Sequence, residues 1–540
     1  MAACKVQYLS YRLGQWRRRM DFHVGLTGRG DLTARIYREL REAVLDGRLR
    51  PGERLPPTRE LARRLGVARN TVAAAYDRLS AEGFLTGRVG SGTFVCAQPL
   101  THARPRNAPP GAGVRPRAVW EAIAAGPVPA GGSAGGTGSG DAAGTRPGST
   151  EPGDGEAGIG GGGGGGGGAS GGGGGGGAVY DFRVGSPDPA LFPLETWRRL
   201  LTRELRRSAL GSAEYAGPAG HAGLREAIAR HTGASRAVRA GADDVIVTQG
   251  AQQALDLVGR VLIEPGDRVA VEEPGYPPAR LLFRSLGARV TGVPVDAEGL
   301  RVADLPDDAR LVYVTPSHQF PLGTPMSLAR RAALLEWAER NDAVVIEDDY
   351  DSEYRFAGRP LDALQGLDRC GRVVYAGSFS KTLLPALRLG FLIAPASLRP
   401  ALHAARMLTG WHGDPAPQAA LAGFIEEGLL ARHVRRTTRE YAGRHARITA
   451  ALRDRFADWL RPVPSAAGLH LCARLAPDAR VEVDRVIARA RGAGVAVESL
   501  AAYCGESPAQ AGLVIGYGGV RPAGIEEGLR RLARCFADPA

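Results

Sequence analysis

The sequence predicts a multidomain chain: an N-terminal winged helix-turn-helix head, then a long C-terminal α/β domain around a mostly parallel sheet. Three observations carry this. Helical periodicity from residue 31 to about residue 81 gives way to two short β-like runs around a glycine-rich turn. From Val179 onward, β-branched runs such as Asp244–Thr248 alternate with amphipathic helices, as in a parallel sheet covered on both faces. Between the two, residues 97–178 are rich in Gly, Pro, Ala and Ser and end in pure runs, Gly160–Gly168 and Gly171–Gly177. A glycine run has no side chain to bury and loses the most backbone entropy on ordering, so this segment predicts a flexible tether. About 80 residues of such chain span on the order of 50 Å. The expected order is therefore an extension (1–30), a head (31–96), a tether (97–178) and a large domain (179–540).

Composition sets the outer limits. A chain of 540 residues with 44% hydrophobic content supports more than one packed domain. No run reaches the ~18 apolar residues of a membrane span, and no charged-then-apolar leader pattern opens the chain. Six scattered cysteines without CxxC pairs or zinc spacing fit a reduced, cytoplasmic protein with no metal site. The net charge of +13 permits an anionic partner, but arginine bias alone could produce it. The first 19 residues have no clear period, and Met20 is an alternative start.

In the head, Leu32, Ile36, Leu40 and Val44 recur at helical spacing behind Asp31 as N-cap. Thr58 is placed to cap a second helix carrying Leu61 and Leu65, which Gly66 ends. A third helix from about Arg69 would bury Val72, Tyr76 and Leu79, with β runs at Phe84–Thr86 and Thr93–Val95 as the wing. The third helix opens with Arg69, Asn70 and Thr71, types that reach base edges and phosphates from a recognition helix. Arg88 and Gly90 fall in the wing. The alternative is a three-helix protein-contact module, since 12 arginines against 8 acids between Asp31 and Cys96 is a modest excess.

In the large domain the telling residue is Lys381. Of 69 basic residues only Lys5 and Lys381 are lysine. A lysine amine can lose its proton and condense with an aldehyde, whereas a guanidinium cannot. Upstream, Gly250, Ala251 and Gln252 join a strand to a helix whose N-terminus could hold an anion. Tyr276 in "EEPGYP" could lie against a flat ring, and "VVIEDDYDSEYRF" brings carboxylates to a strand end, for a metal or a cationic ring nitrogen. "GSFSK" and Arg388 complete the set. Taken in order, these meet what pyridoxal 5′-phosphate (PLP) needs: phosphate donors, a stacking aromatic, a carboxylate and an amine.

The stretch "YRELREAVLDGRLRPGERLPPTRELARRLGVARNTVAAAYDRLSAEGFLTGRVGSGTFV" resembles the DNA-binding domain of GntR-family transcription regulators. That resemblance implies operator contacts by Arg59, Arg69, Asn70 and Thr71, with Arg88 and Gly90 in the wing. From Val179 to about Phe536 the chain resembles fold-type I, aspartate aminotransferase-like PLP enzymes. With "TPSHQFPLG" and "EDDYDSEYRF", the whole looks like the MocR/GabR group of regulators. The resemblance implies Lys381 as the internal aldimine, Tyr276 over the ring, Asp348 at the pyridine nitrogen and Tyr350 at the phenolic oxygen. It gives the phosphate to Ala251, Gln252, Ser378, Ser380 and Arg388. "EYAGPAG" implies that Tyr215 reaches the phosphate of a second subunit, hence a homodimer, domain-swapped head to tail in this group.

Two positions depart from the aminotransferase pattern. Phe320-Pro-Leu-Gly323 lacks the asparagine that bonds the ring oxygen, as is usual in the MocR/GabR group. Val514 stands where aminotransferases typically carry an arginine for the substrate carboxylate, so either another arginine such as Arg521 serves or amino-acid turnover is not the function. The leading expectation is a PLP-dependent transcription regulator whose operator binding responds to PLP, an amino acid or another small amine (γ-aminobutyrate and taurine both fit). A working aminotransferase with an accessory DNA-binding head, and a DNA-binding protein with an unliganded domain, are the alternatives.

Overall fold

The computed structural model describes residues 32–45, 48–50, 52–81, 84–88, 92–95, 108–111, 113–126, 180–206, 215–356, 362–505 and 509–537. The extension with Met20, the cap Asp31, Gly90 and the glycine runs lie outside these residues.

The head is three helices and a hairpin: α1 (Leu32–Leu45), α2 (Thr58–Leu65), α3 (Arg69–Ala81), β1 (Leu85–Arg88) and β2 (Gly92–Val95). Ile36, Leu40 and Val44 of α1 pack on Leu61 of α2 and on Val72, Tyr76 and Leu79 of α3. Leu32, expected on this face, is instead 39% exposed, because it opens the helix beyond the reach of the other two. Thr58 does not cap α2 either. It is the first helical residue, Pro57 takes the cap position, and no side chain caps the turn. Gly66 ends α2 at φ 65°, a left-handed conformation that glycine adopts at little cost. The hairpin strands are antiparallel and begin one residue later, and one earlier, than the sequence periods suggest.

The stretch expected to be tether is not unstructured throughout. Residues 108–111 and 113–126 run over the large domain and include α4 (Ala118–Ala125). The Ala108 amide donates to Asp244 at 2.7 Å, the Trp120 indole to the Arg260 carbonyl at 2.7 Å, and Val114 is buried in the core. Trp120 and Val114 supply the apolar anchors that the surrounding composition conceals.

The large lobe is an eight-stranded sheet. In chain order its strands are β3 (Val245–Thr248), β4 (Arg268–Glu273), β5 (Arg289–Asp296), β6 (Gly299–Leu300), β7 (Ala309–Val314), β8 (Val344–Asp349), β9 (Val373–Ser378) and β10 (Gly390–Ile393). Across the sheet they run β3-β10-β9-β8-β7-β4-β5-β6. β10 is antiparallel to both neighbours, and the β9-β8-β7-β4-β5 run is parallel. Strands β3, β8 and β9 are buried end to end, as strands covered on both faces are. Helix α5 (Ala251–Leu262) follows β3 and α6 (Arg399–Gly410) follows β10. Helix α7 (Leu429–Arg455) then leads into a small lobe with a four-stranded antiparallel sheet: Leu460–Pro462, His470–Leu475, Gly512–Gly516 and Glu498–Ser499. Within the chain, α3 of the head lies against α7.

Candidate cofactor site and nucleic-acid interface

The C-terminal ends of β3, β8 and β9 open on one place, where ligands sit in open α/β sheets. At the end of β3, Gly250 adopts φ 83° and hands the chain to α5, leaving the first-turn amides of Ala251 and Gln252 without helical acceptors. A side chain on Gly250 would stand 3.0 Å from the Arg388 guanidinium, so the glycine lets that cation close on the helix start. Arg388, at φ 49°, donates to the Gln249 carbonyl at 2.6 Å. Ser378 ends β9, and its hydroxyl lies 2.9 Å from that of Ser380. Helix amides, two hydroxyls and a guanidinium thus form a cradle suited to a phosphate.

Strand alternation sorts the acidic run. Glu347 and Asp349 point to one face of β8: Glu347 takes the amides of Leu364 and Gln365, and Asp349 pairs with Arg236 at 2.8 Å. Asp348 points to the other face, 4% exposed. Its Oδ2 accepts from the Tyr313 hydroxyl at 2.7 Å, while Oδ1 is buried with no partner. Burial raises the Asp348 carboxyl to about 7, against the Tyr313 bond that lowers it. Glu272, beside it at the end of β4, is also raised by burial to about 7. The sequence left open a metal at this run; among the described residues its Asp351 gathers with His318 and His470 at ligand spacing. His318 Nδ1 meets Asp351 and the Tyr350 hydroxyl, and His470 Nε2 meets the Pro321 carbonyl.

Lys381 follows β9, its amine donating to the Gly185 carbonyl. Burial lowers its pKa, with Asp351 and Asp348 pulling the other way, so the neutral amine is favoured more than in water. Tyr276 is half-buried and lies within electrostatic range of Asp348 and Arg388; burial pushes its phenol up to about 12. Phe320 stands edge-on to Tyr276 and to Tyr350, with centroids 5.6 Å and 5.7 Å away. The Tyr350 hydroxyl donates to the His318 carbonyl at 2.9 Å.

Among the described residues Tyr215 makes ring contacts with Trp411 and His412 and none with the cradle; it is 67% exposed, its ring tilted against Trp411 with centroids 5.1 Å apart. Val514 is fully buried in an apolar cluster with Leu322, Cys472, Leu500 and Tyr503, against which Phe320 packs. Arg521 is exposed ahead of the last helix, and its side chain has no hydrogen bond or ion pair to other described residues.

In the head, Arg59, Arg69 and Asn70 are exposed and Thr71 is partly buried at the first turn of α3. None of the four side chains is bonded to another described residue, and Arg88 closes β1. Sequence reasoning missed Tyr313, Gly185 and the His318–Asp351 pair. His318 did lie within the quoted "TPSHQFPLG", and Asp351 within the acidic run.

Comparison with known proteins agrees with both halves. Residues 32–95 match the bacterial regulatory proteins of the gntR family, and residues 181–505 match aminotransferase class I and II. The chain is 38% identical over 93% of both sequences to the probable rhizopine catabolism regulatory protein MocR of Rhizobium meliloti. It is 34% identical to the HTH-type transcriptional regulator TauR of Rhodobacter capsulatus, over 96% of this chain and 99% of that one. Among solved structures, the α-aminoadipate aminotransferase LysN of Thermus thermophilus, complexed with N-(5′-phosphopyridoxyl)-L-leucine, superposes with a TM-score of 0.61. It shares 30% identity and covers 67% of this chain and 92% of that one.

Proposed function

We propose, from the premise that the chain belongs to the MocR-type regulators, in which a GntR head is fused to an aminotransferase class I/II domain, that PLP held at Lys381 makes operator binding answer to a small amine. The chain is a DNA-binding transcription regulator of this group. The observation that carries the cofactor reading is the Asp348 carboxylate, buried at a strand end with Oδ1 unpartnered. An orphaned acid of this kind costs free energy unless a proton or a cationic group meets it.

When bound, PLP supplies an aldehyde electrophile and an electron-accepting ring. Lys381 would offer the amine that binds it covalently. Asp348, steadied by Tyr313, would hold the proton of the ring nitrogen. Ala251, Gln252, Ser378, Ser380 and Arg388 would take the phosphate, Tyr276 would cover one ring face, and Tyr350 would donate to the phenolic oxygen. Tyr215 would complete the phosphate site of a second subunit; its exposure supports this. In a domain-swapped homodimer the α3–α7 contact seen within one chain would recur between chains. The effector would be PLP itself, an amino acid or another amine; the apolar setting of Val514 argues against an amino acid held by an arginine. Arg59, Arg69, Asn70 and Thr71 would face operator DNA, with Arg88 and Gly90 in the wing, in the cytoplasm. Among the described residues no helix is long and apolar enough to cross a membrane.

The test is full-length protein purified with PLP. A visible absorption band lost in Lys381→Ala, with operator affinity changed by PLP or amines in the wild type only, is the expected result. A colourless wild type overturns the cofactor assignment. Steady turnover of amino donors with 2-oxo acids, with no effect on DNA affinity, would favour a working aminotransferase.

A further inference from the structure

Beside Tyr350 lies a buried pair that takes no part in the phosphate cradle. His318 follows β7 and Asp351 follows β8; these strands are parallel neighbours, so their C-terminal ends bring the two side chains together, both buried. His318 Nδ1 lies 3.0 Å and 3.2 Å from the two Asp351 carboxylate oxygens. A carboxylate only accepts hydrogen bonds, so the ring nitrogen facing its oxygens carries the hydrogen. Nε2 is then the acceptor, and the Ser465 hydroxyl donates to it at 3.1 Å. Two glycines make room for the pair, Gly468 at φ 78° and Gly323 at φ 83°. A side chain on Gly468 would collide with the imidazole and with Asp351 Oδ2, and one on Gly323 would come within 3.1 Å of Nε2.

The same Nδ1 lies 2.9 Å from the Tyr350 hydroxyl. Burial holds the Tyr350 phenol well above its usual range, so it keeps its proton and has one hydrogen to give. Two acceptors of its own chain compete for that hydrogen: the His318 carbonyl, which it meets at 2.9 Å, and the imidazole. With the hydrogen on Nδ1 the imidazole is no longer an acceptor there, and its N–H faces the phenol oxygen as well as Asp351. An N–H that donates to a hydroxyl oxygen polarises it and strengthens the bond the hydroxyl gives onward. Without the Asp351 carboxylate the ring is free to carry its hydrogen on Nε2, and Nδ1 would then take the Tyr350 hydrogen for itself. A pair that only filled space would need no donor facing the tyrosine oxygen.

We propose that His318, oriented by Asp351, is a positioning residue that acts through Tyr350, keeping the Tyr350 hydroxyl a donor toward the phenolic oxygen of PLP. This rests on the cofactor reading. The test compares wild type, Asp351→Asn, His318→Gln, Tyr350→Phe and the double variant Asp351→Asn/Tyr350→Phe, all full length and loaded with PLP. Asp351→Asn is isosteric and His318→Gln keeps a polar end for Ser465; circular dichroism checks that each is folded. In both the visible cofactor band should move in the direction that Tyr350→Phe moves it, and PLP affinity should fall about fivefold, as for one lost hydrogen bond. In the double variant the band should stand where Tyr350→Phe alone puts it, because Asp351 then has no tyrosine hydroxyl to act through. A band at the wild-type position in Asp351→Asn and in His318→Gln overturns the assignment. Additive shifts in the double variant also overturn it, since Asp351 would then be acting on Lys381 directly by its charge. A colourless wild type overturns the cofactor reading and this inference with it, so the colour of the wild type tells the two failures apart.

Discussion

Replacing Asp348 by Asn tests the buried acid directly, through stability as well as cofactor binding. In the folded chain burial raises this carboxyl from 3.8 to about 7. A folded-state pKa above the unfolded one means that the folded chain keeps a proton the unfolded chain releases. Stability from this group is therefore full below the unfolded value and is lost as pH rises through the window up to about 7. Between about pH 5.5 and 7.5 the loss amounts to about 2 kcal/mol, at 1.36 kcal/mol per unit with the folded group titrating at the upper end. The assay is urea unfolding of cofactor-free protein at both values, followed by tryptophan fluorescence of the large-domain transition. Wild type should lose stability with rising pH, and Asp348→Asn should remove about 2 kcal/mol of that loss. The Glu272 contribution should remain, because its carboxyl is raised by its own burial. The same variant should release PLP more readily, having no anion for the ring nitrogen. Identical pH slopes in wild type and variant would refute the claim that Asp348 is buried at an energetic cost.

Other outcomes follow from single contacts. Arg69→Ala should weaken specific operator binding by about 1–3 kcal/mol in fluorescence anisotropy if it makes a bidentate base contact, with little change on random DNA. Tyr215→Ala should leave subunit stability within about 0.5 kcal/mol, since the residue is exposed, while PLP dissociates faster from the dimer. Arg236→Met should cost about 3–5 kcal/mol in urea unfolding, because it leaves the buried Asp349 carboxylate without its cation.

What was legible in the sequence was chemistry that few residue types can perform. Lys381 stood out because arginine could have served any purely electrostatic purpose, and Gly250 because it joins a buried strand to a helix. The helix faces of the head were legible because Ile36, Leu40, Val72 and Tyr76 repeat at the helical period. Contacts made only by the tertiary fold were not legible. Tyr313 reaches Asp348 across a neighbouring strand 35 residues away, and Gly185 meets Lys381 from 196 residues away. The helix Ala118–Ala125 was hidden because glycine and proline averaged over the whole stretch outweigh one tryptophan. Helix starts also misled: threonine is a favoured cap, yet at Thr58 the preceding prolines fix the chain so that Pro57 takes that role.

Neighbouring acids of the run make different contacts. Glu347 and Asp349 spend their charge on backbone amides and a buried arginine, fixing the strand between its neighbours. Asp348, one residue from each, is held just as rigidly but left with a free oxygen. An amino-acid aminotransferase needs a further element, an arginine gripping the substrate carboxylate so that binding energy is spent in the transition state. Val514 replaces that grip with apolar packing. A site that keeps the electrophile's supports and loses the carboxylate anchor can still distinguish amine-bound from amine-free states, and a switch requires only that difference. An arginine placed at Val514 would disrupt the apolar packing of the small lobe.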